Sequence, residues 1–205
     1  AMLVTGLTKG TRTMTTRCAW AGSDPLYVAY HDTEWGVPLH NDQALFEFLT
    51  LECQQAGLSW ITVLRKRENY RKAFHKFDPK KVAKMSDEDI EQRLLDTGLI
   101  RNRLKLYSIR SNAIAFLAIQ KEFGSFDSYI WSFVGAKVLD GKRQAMADVP
   151  ATSDISDALS KDLKKRGFKF VGSTIVYAHM QATGMVNDHV HSCFRYKEVK
   201  KLAKA

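Results

Sequence analysis

The chain has 205 residues, 45% of them hydrophobic and only four of them proline, which reads as an ordinary globular protein long enough for a sizeable core. Lysine and arginine number 31 against 22 acidic residues, a formal charge of +9, and that excess favours a polyanionic partner, most often nucleic acid. No apolar run approaches the roughly 18 residues of a membrane span, and three cysteines (Cys18, Cys53, Cys193) make no disulfide framework, so the expected setting is a reducing cytoplasm.

Residues 1–16, AMLVTGLTKGTRTMTT, lack the continuous apolar segment of an export signal and read as a flexible extension. The stretch DPLYVAYHDTEWG (24–36) gathers Tyr27, Tyr30 and Trp35 around His31. Aromatics at this density are more often core than binding surface. LFEFLTLECQQAGLSW (45–60) then begins as a helix, with Leu45, Phe48, Leu49 and Glu52 on one face. Asn41 and Asp42 suit its N-cap. Ala56-Gly57 stops it, Leu58 stands alone, and Ser59 can cap a second helix from Trp60. A carboxylate on the core-facing side is costly unless something pairs with it. The competing reading gives the buried face to Phe46, Leu51 and Cys53, with Glu52 at its edge.

Ser86-Asp87-Glu88-Asp89 is a capping box followed by Ile90 and Leu94, with Gly98 placed to end that helix. A longer helix is expected from about Arg103 to Lys121, and a short buried one over Tyr129–Val134. Residues 135–155 read as a long surface connection. Ser156 can cap a helix over Asp157–Arg166, closed by Gly167, and Thr174–Thr183 forms an apolar helix closed by Gly184. The last nine residues, KEVKKLAKA (197–205), read as a mobile basic tail. Helix signals recur, strand signals hardly occur, and the expected class is all-α.

Two patterns carry chemistry. Cys18 with His31, and His189 with Cys193, make two thiolates and two imidazoles, the composition of a structural zinc site; His191 could replace His189. From spacing alone, a buried free cysteine beside a satisfied histidine explains the same letters. TGLIRNRLK (97–105) joins two expected helices as a hairpin with Gly98 at its entry. Backbone N–H groups there, with Arg101, Arg103 and Lys105, would suit a phosphate. An ordinary helical hairpin with a basic surface explains it equally.

RCAW (17–20), DPLYVAYHDTEWGVP (24–38), LECQQAGLSWITVLRKRENYRKAF (51–74), TGLIRNR (97–103), IWSFV (130–134), ALSKDLKKRGFKFVG (158–172) and NDHVHSC (187–193) occur in this order. Together they closely resemble the bacterial 3-methyladenine DNA glycosylase I family. The resemblance implies an all-α helix-hairpin-helix fold of two closely packed helical lobes over residues 17–196. It implies one structural zinc on Cys18, His31, His189 and Cys193. The family's base pocket falls on Tyr30, Glu52 and Trp60, with Tyr27 and Trp35 in its wall. Glu52 and Tyr30 then carry recognition and catalysis, Gly57-Leu58 is the wedge that enters the duplex, and Gln55 lies beside it.

The implied function is DNA base-excision repair by a monofunctional N-glycosylase. It would flip 3-methyladenine out of alkylated double-stranded DNA and release the free base by hydrolysis, as a monomer and away from any membrane. The alternative is a non-catalytic helix-hairpin-helix module that only binds DNA. The sequence departs from the family pattern at Cys53, Leu104 and His191. No aspartate matches the water-activating group of the wider superfamily, Asp127 included, which leaves the source of general-base assistance open.

Overall fold

The computed structural model describes residues 15–204. Residues 1–14 of the expected extension, and Ala205, lie outside the described residues. Thr16 already belongs to the folded chain, because its carbonyl accepts the Phe194 N–H at 3.0 Å.

Asp24 starts α1 (Pro25–Thr33) by accepting the N–H groups of Leu26 and Tyr27, with Pro25 in the first helical position. Asn41 caps α2 (Asp42–Gln55) through Ala44 N–H, as its side chain predicts. The two competing faces of α2 prove to be one: Leu45, Phe46, Leu49, Leu51, Glu52 and Cys53 are all buried. A helix enclosed on nearly every side belongs at the centre of a fold. Accordingly α2 packs against α3 (Trp60–Leu64), α7 (Arg103–Phe123), α8 (Phe126–Ser132) and α10 (Ser173–Ala182). Phe46 meets Phe116 with ring centres 5.1 Å apart, and Phe116 stacks on Phe126 at 4.3 Å. Each such ring contributes on the order of 2–3 kcal/mol through burial alone.

Three further helices fill the gap between α3 and α7: α4 (Arg67–Ala73), α5 (Pro79–Ala83) and α6 (Asp87–Arg93). Ser86 and Asp89 form the expected reciprocal capping box on α6. The helix α9 (Asp154–Lys165) starts earlier than expected. Ser153, not Ser156, is its cap, and Ser156 is buried with its hydroxyl accepting from Ser153 N–H at 2.8 Å.

Two other expectations are corrected. Residues 197–202 of the expected tail are not loose, because α11 spans Phe194–Leu202 and its buried Tyr196 and Val199 hold it to the body. The all-α class becomes mostly helical: within the 135–155 connection, Leu139–Asp140 pairs in parallel with Val186–Asn187. Gly184 makes that return possible. It has φ +76°, and a Cβ there would lie 2.5 Å from the backbone of Val37, so only glycine lets the chain leave α10 pressed against residues 36–38. The strand after it then carries His189 across to the N-terminal residues. Among the described residues, no helix is long and apolar enough to cross a membrane.

Candidate functional site

Glu52 points into a cavity of about 270 Å³. Five aromatic rings wall it: Trp20, Tyr27, Tyr30, Trp35 and Trp60. They brace one another, with Trp20 5.1 Å from Tyr27 and 5.0 Å from Trp35, and Tyr30 5.5 Å from Trp60. The four site residues Tyr27, Tyr30, Trp35 and Trp60 foreseen from the sequence are thus brought together with Glu52 and Gln55.

The polar atoms among those rings are unusual. Tyr30 Oη, Glu52 Oε2 and Trp60 Nε1 are buried without a hydrogen-bond partner. An unmade buried hydrogen bond costs on the order of 1–3 kcal/mol, so three in one cavity indicate a site shaped for a polar, planar ligand. Burial pushes the Glu52 carboxyl up to about 8, which makes it a neutral acid at pH 7, able both to donate and to accept. Burial, and then the proximity of Glu52, hold the Tyr30 phenol well above its ordinary value.

Sequence reasoning missed part of the lining. Met146, Val149 and Pro150, from the supposed surface connection, line the cavity, as do Ala178, Gln181 and Asp188. Trp20 also went unnamed, although it stands two places after Cys18 in RCAW. No local signal places a loop residue such as Val149 over a site built a hundred residues earlier.

At the cavity edge, Gly57 adopts φ +77° and Leu58 N–H closes the turn on Gln55 C=O at 2.6 Å. Leu58 is left 40% exposed at the tip, an apolar side chain held up to solvent. Lys105 is not the phosphate ligand its letters implied. It is buried, and its Nζ donates to the carbonyls of Gln54 at 2.9 Å and Ala56 at 2.5 Å. It therefore braces the Leu58 turn from beneath. Gly98 N–H is likewise taken, by Asp96 Oδ1 at 2.8 Å, and Arg103 pairs with Glu91. Of the four hairpin residues proposed for phosphate contact, Arg101 and Arg103 are exposed side chains, Arg103 within its surface pair with Glu91.

Behind the aromatic wall, one ligating atom from each of Cys18, His31, His189 and Cys193 lies within 4.8 Å of the others, all buried. Cys193 Sγ is 3.5 Å from His31 Nε2 and 3.5 Å from His189 Nδ1, and Cys18 Sγ is 3.5 Å from His189 Nδ1. The far ring nitrogens are held in place, as metal-binding histidines require. His31 Nδ1–H donates to Asp32 at 2.7 Å, and Arg17 grips Asp32 in turn. His189 Nε2–H donates to the Trp35 carbonyl at 3.0 Å. His191 is excluded as a ligand: it is exposed, with its ring on Tyr196 at 4.3 Å. The H-x3-C spacing does not lie on one helix either, since Cys193 is the N-cap of α11. Because Trp35 both holds His189 and lines the cavity, the cluster fixes the wall it stands behind.

The profile of the methyladenine glycosylase family matches residues 20–196. The chain belongs to the methyladenine glycosylase family. It is 54% identical over 180 residues to DNA-3-methyladenine glycosylase 1 of Escherichia coli, across 88% of this chain and 96% of that protein. A crystal structure of 3-methyladenine DNA glycosylase I superposes with a TM-score of 0.86 at 54% identity, covering 87% of this chain and 98% of the other. A single-residue Tyr-to-Phe variant of such a glycosylase, solved in complex with 3-methyladenine, is 40% identical with a TM-score of 0.85, over 87% of this chain and 96% of its own. The matched residues 20–196 take in every residue that lines the cavity and three of the four residues of the Cys/His cluster, His31, His189 and Cys193.

Proposed function

We propose that this methyladenine glycosylase is a monofunctional base-excision repair enzyme that extracts 3-methyladenine from alkylated duplex DNA and releases it by hydrolysis. The observation that carries the reading is the set of three unpartnered polar atoms, on Tyr30, Glu52 and Trp60, in an aromatic cavity beside the exposed Leu58. Methylation at N3 gives the base a positive charge and weakens its bond to the sugar. The enzyme's work is then to find the base, turn it out of the stack and let water reach the sugar carbon. Flipping costs a few kcal/mol, less for a damaged base. Leu58 fills the gap as an apolar wedge, while the indole and phenol faces stack on the base and favour its charge. An arriving cation also favours the ionised form of Glu52. A module that merely binds DNA would leave the buried Glu52 without a purpose.

The four-residue cluster is read as one structural zinc per chain. Tetrahedral bonds of about 2.3 Å to sulfur and about 2.0 Å to nitrogen would put neighbouring S and N ligands about 3.5 Å apart, in keeping with the 3.5 Å separations here. Bound zinc would hold the termini together; the chemistry on the base belongs to the cavity. Two helical hairpins, α6–α7 and α9–α10, fit a helix-hairpin-helix reading, with Arg101 as a phosphate contact and the net charge of +9 drawing the chain to DNA. Three buried free cysteines fit a reducing cytoplasm.

Free 3-methyladenine should quench the tryptophan fluorescence of the protein, because Trp20, Trp35 and Trp60 wall the cavity. Leu58→Ala should leave that titration unchanged while weakening binding to methylated duplex by about tenfold, the scale of one buried leucine contact. Equal losses of base and duplex binding would remove the wedge role, and no quenching by the free base would remove the reading of the cavity.

A further inference from the structure

Glu52 cannot by itself tell one purine edge from another. Its carboxyl, raised to about 8 by burial, can be ionised and accept beside a cationic base or protonated and donate beside a carbonyl, so it can satisfy an exocyclic amine or a carbonyl. Discrimination needs a group that can do only one of these.

Gln181 is such a group. It lies three residues after Ala178 on the same face of α10, and both side chains line the cavity. A free glutamine amide is indifferent, since it can turn to present either end. This one is held. Its Nε2 donates to Asp188 Oδ2 at 3.0 Å. Asp188 is buried and paired with Arg143, whose Nε lies 3.0 Å from Oδ1, and Tyr177 Oη donates to the same Oδ2. A carboxylate in an ion pair accepts and never donates, so turning the amide would set its oxygen against the carboxylate oxygen. The amine end of Gln181 is committed to Asp188. The carbonyl end is the one this contact leaves free, on a residue that lines the cavity.

We propose that Gln181 is a specificity-determining residue that presents a fixed hydrogen-bond acceptor to the bound base, admitting a purine with an exocyclic amine and rejecting its 6-oxo counterpart. The inference rests on the reading of the cavity as a base pocket. An amine opposite Gln181 Oε1 donates to it. A 6-oxo group there places two acceptors face to face, and neither can turn away without breaking the Asp188 contact. Arg143 and Tyr177 are positioning residues in this account, acting through Asp188.

The test titrates wild-type protein and Gln181→Met, which keeps the side-chain length, with free 3-methyladenine and with 3-methylhypoxanthine. Wild type should bind the amine-bearing base preferentially. Gln181→Met should bind 3-methyladenine about tenfold more weakly, the scale of one buried hydrogen bond, and should bind the 6-oxo base no worse, so that the preference collapses. Equal weakening of both bases, or no change in either, would overturn the role of Gln181 while leaving the base pocket standing. Failure of the wild-type protein to bind 3-methyladenine would overturn the pocket itself, and this inference with it.

Discussion

Cys193→Ser, or a strong chelator applied to the native protein, is expected to lower the melting temperature by more than about 10 °C. The four clustered ligands come from residues 18 and 31 on one side and 189 and 193 on the other, so the metal would close a loop of nearly the whole described chain. Structural zinc sites supply on the order of 10 kcal/mol or more of folding free energy. Losing even about 5 kcal/mol moves the melting temperature of a chain this size by about 10–20 °C. The damage should also reach the cavity, because Trp35 carries both the His189 contact and part of the wall. Metal analysis should find one zinc per chain before chelation. A metal-free protein with an unchanged melting temperature would contradict the structural role of the cluster.

Glu52→Ala is expected to reduce base release by about a hundredfold, the scale of losing one preorganised polar contact at a reacting group, and unchanged activity would sink the role assigned to Glu52. Glu52→Gln isolates the cost of its burial. The carboxyl titrates near 4.5 when exposed and near 8 in the fold, so between those values the folded state holds a proton that the unfolded state has lost. Stability therefore falls as pH rises through this window, by about 3 kcal/mol at pH 7 and more above pH 8. The wild-type protein should lose stability from pH 5 to pH 9, and Glu52→Gln should lose much less. Parallel stability curves for the two would show that Glu52 is not buried as an acid. The buried His179, pushed down to about 3 by desolvation, acts in the opposite sense: its stability contribution is present above pH 6.5 and is lost as pH falls.

The helical period of residues 45–52 already set Glu52 on a face with Leu45, Phe48 and Leu49, and that face is indeed buried. The period could not show that the competing face is buried too, because a central helix has no outside. The cluster of Cys18, His31, His189 and Cys193 was legible in residue type. Spacing alone leaves His191 open beside His189; the family resemblance points to His189, and the fold supplies the physical reason by turning His191 outward onto Tyr196. Lys105 illustrates the limit of local reading. Its partners are carbonyls about fifty positions earlier, and a lysine that snorkels inward has the same letter as one that faces solvent. Tyr196 and Val199, three apart, were a sign that KEVKKLAKA continues a packed helix. Lysine density concealed it.

The central claim is that the cavity around Glu52 receives a methylated adenine from DNA and that the chain cuts it free. The most direct measurement incubates zinc-loaded protein with methylated duplex DNA and chromatographs the released bases. Release of 3-methyladenine, slowed about a hundredfold with Glu52→Ala, is the predicted result. No release by folded wild-type protein that still binds the duplex would contradict the account and leave a chain that only holds DNA.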